Sequence, residues 1–247
     1  MGVVIKRRAI VAGGNPRMKV PVTGIQAGTL AVGSIVKLME GGTAVEYLVV
    51  NQGIPGNSNL YDASCDGTWL LRKDIHSNRQ WHTSNVNKYE TSAINTWLNG
   101  DFFNSLGSVE RATVKQVKIP YRHGGGDGGT NQSGANGLSC KVFLLSCYEL
   151  GWTTSNSSVY PVDGAKLDYF IAGSAGKSLR IAYLNGTVNV WWTRSPYASG
   201  TSNAWFIQTD GNSNSSGASS SYGIRPALVL PSNALFDETT MLLKGVA

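Results

Sequence analysis

The chain has 247 residues, of which 41% are apolar and only 15% charged, and it carries 30 Gly. This is enough apolar material for a core, which excludes a disordered tail. The low charge and the wealth of Ser, Thr, Asn and Gly describe a loop-rich, mostly β protein with a hydroxyl- and amide-covered surface, unlike an enzyme of central metabolism.

The net charge of +6 is unevenly placed. Before Glu40 stand Lys6, Arg7, Arg8, Arg17, Lys19 and Lys37 with no acid, and from Glu40 onward bases and acids balance. A basic arm of this kind docks on an acidic partner surface or on nucleic acid. It lacks a long basic run, so a protein neighbour is the expected partner and nucleic acid is not. Met1 to Val11 has no apolar segment of signal-peptide type, and Lys6 stands where a myristoylation signal wants Ser or Thr. No run of 18 apolar residues occurs, so no membrane insertion is expected. The odd count of Cys65, Cys140 and Cys147 predicts buried free thiols rather than a disulfide framework.

Residues 1–32 alternate β-branched residues with Gly and Pro and read as an extended attachment arm, with short extended pieces at Val20–Ile25 and Thr29–Val32. A domain is expected over 33–235 and a tail over 236–247. Ser34–Met39 and Ala44–Val50, joined through Gly41-Gly42, predict a hairpin, and Trp69–Leu71 a third strand. Ile94, Trp97, Leu98, Phe102 and Leu106 share one face at helical spacing, which predicts a helix over Thr91–Leu106. Thr91 or Ser92 would cap it, and Asn99-Gly100 would kink or split it. His123–Gly137 reads as a flexible glycine-rich loop, Lys141–Ser146 as a buried strand and Leu167–Ile171 as a short helix. Arg180–Leu184 and Val188–Trp192 flank Asn185-Gly186, the strongest short hairpin signal. Trp191–Pro196 then leads into a long Ser/Asn/Gly/Thr stretch, interrupted by the strand Ala204–Gln208 and closed by Gly223–Leu230. Apolar strands bracket this stretch, so it reads as ordered, displayed loops.

Gly173-Ser-Ala-Gly-Lys-Ser178 lacks the first Gly of a phosphate-binding loop, since residue 171 is Ile171. Asp210-Gly-Asn-Ser-Asn214 resembles the start of a calcium loop, but Ser215 and Ser221 stand where that loop needs Gly and Glu. His76, His82 and His123 have no metal-ligand spacing with a Cys, and no nucleophile elbow occurs. No metal, no cofactor and no catalytic residue is therefore assigned. The aromatic residues around the polar stretch are the stronger lead, because Trp and Tyr beside Ser, Gly and Asn make adaptable binding surfaces. The ligand-binding set is Trp191, Tyr197, Asn203, Trp205, Asp210, Asn212, Asn214 and Tyr222. Neighbouring Trp191 and Trp192 point to opposite sides of a strand, so one of them belongs to the core. Trp192, Arg194, Pro196, Gly223, Arg225 and Pro226 are assigned to structure, with Arg225 held by backbone carbonyls.

Trp191-Trp-Thr-Arg-Ser-Pro196, Gly223-Ile-Arg-Pro-Ala-Leu228, Ile94-Asn-Thr-Trp-Leu-Asn-Gly-Asp-Phe-Phe103 and Lys141–Ser146 occur in an order that resembles a domain of unknown function common in gut Firmicutes and their phages. The resemblance covers about residues 33–232. That domain in turn looks like the C-type lectin and formylglycine-generating-enzyme superfamily, whose chains close near a Gly-Phe-Arg motif, here matched by Gly223-Ile-Arg225. The resemblance implies an α+β fold of C-type lectin type with irregular β-structure, one or two helices and long loops. In the variable phage proteins of that superfamily the variable residues are displayed just before the closing strand, which corresponds here to Tyr197–Tyr222. The copper-holding Cys pair of the formylglycine enzymes has no counterpart after Cys147. The expectation is a non-enzymatic virion surface protein, either a tail receptor-binding protein or a capsid decoration protein. It would be homo-oligomeric, attached to other virion proteins by its arm, and adhesive toward a host glycan or protein. A purely structural virion protein or a metal-dependent enzyme of the formylglycine type is the alternative.

Overall fold

The computed structural model describes residues 23–126, 128–152 and 159–247, so the arm residues Lys6, Arg7, Arg8, Arg17 and Lys19 lie outside the described residues. The architecture is α+β, with strands predominating over short helices. Two five-stranded sheets carry it. The first runs Val142–Phe143, Ala227–Leu230, Thr68–Arg72, Thr43–Gln52, Ile35–Glu40, antiparallel throughout. The second runs Ser213–Gly217, Asn203–Ile207, Trp191–Pro196, Ser221–Gly223, Asn78–Gln80, with one parallel contact at Trp191 and Gly223.

Two hairpins follow from their turns. Gly41 and Gly42 have φ of 54° and 83°, and Asn185 and Gly186 have 51° and 80°. Positive φ at both central residues makes a turn whose twist matches that of the strands it joins. Ile35 accordingly pairs Leu48, and Ala182 pairs Asn189. The strand Thr68–Arg72 joins the first hairpin at its other side, as expected from Trp69–Leu71.

The helix runs from Ala93 to Ser105, and Ser92 caps it by accepting a hydrogen bond from the Asn95 amide at 3.1 Å. Ile94, Leu98 and Phe102 are buried along one side, and Leu106 is buried just past its end. Asn99 and Gly100 fall in a wide π turn over Leu98–Phe102, which separates the α-helical turns Ala93–Trp97 and Phe103–Ser105. That turn admits an extra residue and leaves Trp97 only partly buried beside Phe102.

Three expectations are corrected. Only Val142–Phe143 of Lys141–Ser146 pairs as a strand, because the Leu144 amide donates to the Tyr89 hydroxyl and the Ser146 amide to Glu149. Leu167–Ile171 is not helical, since the Asp168 amide donates to the Asn51 side chain and the Tyr169 amide to the Val50 carbonyl. The loop His123–Gly137 holds structure of its own: Tyr121–His123 pairs Thr130–Gln132, and Gly125 packs so closely on the carbonyls of Tyr197 and Gly200 that a Cβ there would lie 2.1 Å from each. The boundaries at 32/33 and 235/236 also fall inside one unit. Ile25–Gln26, Ala234–Phe236 and Leu243–Val246 form a third sheet, so residues 25–32 and the last strand pack with the domain.

The core lies between and along the sheets. Trp69 is fully buried, donates its indole N–H to the Cys65 carbonyl at 3.0 Å and meets Tyr61 and Phe143 edge-on. Burying a side chain of this kind contributes about 2–3 kcal/mol from apolar area alone. Where the sheets join, the fully buried Arg194 donates to both oxygens of Glu149 at 2.5 and 2.6 Å. It also donates to the carbonyls of Pro120, Leu144 and Asp163. A charge this deep persists only when paired and fully hydrogen-bonded.

Candidate binding face

The register of the second sheet lines up one residue from each strand. Tyr222 faces Arg79 and Phe206 faces both Trp192 and Asn214. Cross-strand partners share a face, and the ring contacts bridge the remaining gap. Trp192 and Tyr222 lie 4.7 Å apart, Phe206 and Tyr222 4.6 Å, and Trp192 and Phe206 6.0 Å. The result is a row across all five strands: Asn214, Phe206, Trp192, Tyr222, Arg79. Trp192 is fully buried within it, Tyr222 is half-buried, and Arg79 and Asn214 are exposed.

The row continues onto the helix. The Arg79 guanidinium lies 4.0 Å over the Trp97 ring. Between strand and helix is a depression of about 300 Å³ lined by Arg79, Gln80, Thr83, Ala93, Ile94 and Trp97. Behind Trp97, His76 meets Trp97 and Phe102 edge-on at 5.2 and 5.4 Å. Burial, then the charges of Arg72 and Arg79, push His76 down to about 4, so it is neutral at physiological pH.

Hydroxyls and amides rim the row. The Tyr222 hydroxyl donates to Ser216, which shares a hydrogen bond with Ser220. Ser219 donates its amide and hydroxyl to the Asn85 side chain, and Gln80 donates to the Ser219 carbonyl. The segment 213–223 is therefore sheet and tight turn rather than free loop. Its strand Ser213–Gly217 has no β-branched or aromatic residue, so pairing with Asn203–Ile207 and the hydroxyl contacts of Ser213 and Ser216 hold it extended.

The expected ligand-binding residues separate. Asn214 and Tyr222 reach the row. Trp191 does not: it is fully buried, and its indole donates to the Arg180 carbonyl. The assignment of Trp191 to a ligand is corrected to core, as both members of the Trp191–Trp192 pair are buried. Trp205 is corrected likewise, since it stacks on Tyr160 at 4.0 Å and donates to the Val159 carbonyl. Tyr197 leans on Trp205 on that inner side. Asn203 sits on the strand entry, where its carbonyl accepts from Tyr197 and from the Asn87 side chain. Asp210 and Asn212 bond each other, by amide at 2.9 Å and by side chain at 2.6 Å, and so close the turn rather than face a ligand.

The structural assignments sit in the interior. Trp192, Arg194, Pro196, Gly223, Arg225 and Pro226 are buried. Arg225 donates to the carbonyls of Arg72 and Lys73. Gly223 lies where a Cβ would come 2.6 Å from the Val190 carbonyl, so only Gly lets the closing segment cross here. Gly173–Gly176 forms a single 3-10 turn leading into the helix Lys177–Arg180.

Arg79, Gln80, Thr83 and Trp97 were missed as site residues by sequence reasoning. The one signal for Trp97 lies in its neighbours: Ile94, Leu98 and Phe102 are spaced by four and complete a buried stripe without it. Among the described residues no three His, Cys, Asp or Glu side chains are grouped to hold a metal. Burial pushes the thiols of Cys65 and Cys147 up to about 12 and raises that of Cys140 as well.

No curated protein and no solved structure matches the chain. A family model does match, over residues 66–232, which takes in the helix, three of the five strands of the first sheet and the whole second sheet with its row. The chain belongs to the family described as Domain of unknown function (DUF6273).

Proposed function

We propose that this chain is a non-enzymatic adhesion protein of a bacteriophage virion, with a C-type lectin-like fold, that binds a host-surface glycan through the outer face of its second sheet. The observation that carries the reading is the half-buried Tyr222 between the exposed Arg79 and Asn214, with the partly buried Trp97 beside it and the buried Trp192 and Phe206 backing it. Aromatic faces receive the apolar side of a sugar ring, and a rim of Ser, Asn and Gln exchanges hydrogen bonds with its hydroxyls. The lectin-like reading is supported by the α+β architecture and by the place of Gly223-Ile-Arg225, buried at the crossing between the sheets right after the segment that builds the rim. The virion reading rests on the four sequence motifs and on the basic arm, through which the protein would attach to its neighbours in the particle.

The alternative of a formylglycine-type enzyme needs a reactive thiolate, and the three buried thiols with raised pKa values do not supply one.

Two measurements test the proposal. Immunogold labelling of lysates from the producing culture should place the protein on particles, at the tail for a receptor-binding protein or over the head for a decoration protein; particles free of gold end the virion reading. Tyr222→Ala should retain the fold and weaken binding of the purified protein to host cells about tenfold, the loss of one well-placed aromatic contact. Unchanged binding would remove the row from the site.

A further inference from the structure

We infer that the ligand of this face is an anionic glycan, bearing carboxylate or phosphate groups, whose anion is taken by Arg79 at the depression beside Trp97. The inference rests on the adhesion reading and adds the chemical class of what is bound.

Arg72 is paired with Glu40, Lys73 with Glu46, Arg194 with Glu149 and Lys244 with Asp237. Arg79 is exposed and makes neither an ion pair nor a side-chain hydrogen bond among the described residues. It is nevertheless held in place. Its guanidinium carbon lies over the Trp97 ring at 4.0 Å from the centroid, and its backbone is fixed by pairing with Tyr222 and by the Trp192 indole, which donates to its carbonyl at 3.1 Å. Its guanidinium N–H groups therefore stay available beside the ring, and their fork matches the paired oxygens of a carboxylate or phosphate. A fixed cation costs little further ordering when it binds.

The surroundings favour an anion over a neutral ligand. Beside His76 the carboxylate of Glu40 is paired with Arg72 and not with Arg79. Glu40 is already engaged by Arg72 and by the Tyr47 hydroxyl. Thr83 lines the same depression of about 300 Å³ and supplies a neutral hydroxyl, while the Gln80 amide beside it is held on the Ser219 carbonyl. A sugar ring fits such a space, with its charged substituent on Arg79 and its remaining hydroxyls toward the Ser and Asn rim.

The test is titration of the full chain with three polymers: polygalacturonate for carboxylate, a glycerol-phosphate polymer for phosphodiester and dextran as the neutral reference. One or both polyanions should bind and dextran should not, and the polyanion preferred identifies the anion. Arg79→Gln should weaken that binding about tenfold, the loss of one charge-assisted contact. Arg79→Lys should recover only part of it, because an ammonium keeps the charge and loses the fork. Lys244→Gln removes the same charge elsewhere and should change binding less than about twofold at physiological salt. Equal effects of Arg79→Gln and Lys244→Gln would reduce the binding to net charge and overturn the inference. Dextran bound as well as the polyanions, with Arg79→Gln silent and Tyr222→Ala weakened, would overturn the anionic ligand and leave the adhesion face standing. Binding of none of the three, together with unaltered cell binding by Tyr222→Ala, would end both.

Discussion

The two five-stranded sheets differ in where their apolar residues stop. In the first, Val142–Phe143 and Ala227–Leu230 are buried at every residue, and Thr68–Arg72 at all but its last. In the second, Trp191–Pro196 is just as buried, but Asn78–Gln80 is wholly exposed and Ser213–Gly217 has no fully buried residue. The first sheet is buried along these three strands and opens only at its edge hairpin, where Ile35, Thr43 and Ala44 are exposed. The second is packing at its centre and wettable at its margins, and the row of Tyr222, Arg79 and Asn214 emerges where the two conditions meet.

Substitutions can break this comparison, beginning with the largest effect. Trp69→Ala in the first sheet should cost about 3–5 kcal/mol, read from the urea midpoint, because a fully buried indole leaves a cavity. A loss below 1 kcal/mol would mean that the first sheet is not the core. Asp163→Asn tests the junction between the sheets. Asp163 is buried, accepts the Ser195 hydroxyl at 2.8 Å, and burial raises it to about 6 from an ordinary 3.8 against the opposing pull of Arg194 and Ser195. A raised carboxyl pKa means that the folded state holds its proton more tightly than the unfolded one. The wild type should therefore lose stability as pH climbs from about 4 to about 6, by about 3 kcal/mol, and then level off. Asp163→Asn should flatten that slope and exceed the wild type above pH 6, as urea titrations from pH 4 to 7.5 would show; an unchanged slope would assign it to other groups.

Smaller effects sharpen the contrast. Gly42→Ala and Gly186→Ala should each cost about 1 kcal/mol in thermal unfolding, since a Cβ at either meets nothing within 4 Å and only positive φ is penalised. A much larger loss at one would reveal a packing role. Arg79→Gln should leave stability within about 0.5 kcal/mol, as expected of an exposed residue, while altering binding. A large destabilisation would make Arg79 part of the scaffold.

What was legible in the sequence was local. Gly41-Gly42, Asn185-Gly186 and the Ser92 cap each write their geometry within a few residues, and the structure has all three. Arg225 was also legible, because a charge inside Ile224 to Leu230 has only backbone carbonyls to turn to. The row was not. Arg79 and Tyr222 are partners through register alone, separated by more than half the chain, and nothing near either names the other. Trp191 and Trp205 misled for the opposite reason. A Trp beside Ser and Asn looks displayed, but strand alternation turns these two inward onto Arg180, Tyr160 and Val159. Asp210 and Asn212 offered oxygens that the turn itself takes up.

The pairing of Thr68–Arg72 with Ala227–Leu230 sets a delay during synthesis. Its upstream neighbour Thr43–Gln52 is already made when it leaves the ribosome, but its downstream neighbour follows about 160 residues later. At elongation rates of about 5–20 residues per second, that interval is roughly 8–30 s. Throughout it the edge beside Trp69, Leu70 and Leu71 is open, and such an edge accepts any passing strand. The nascent chain is therefore most vulnerable to aggregation before the closing strand appears, and its yield should improve with slower initiation or a bound chaperone more than with any change to the finished surface.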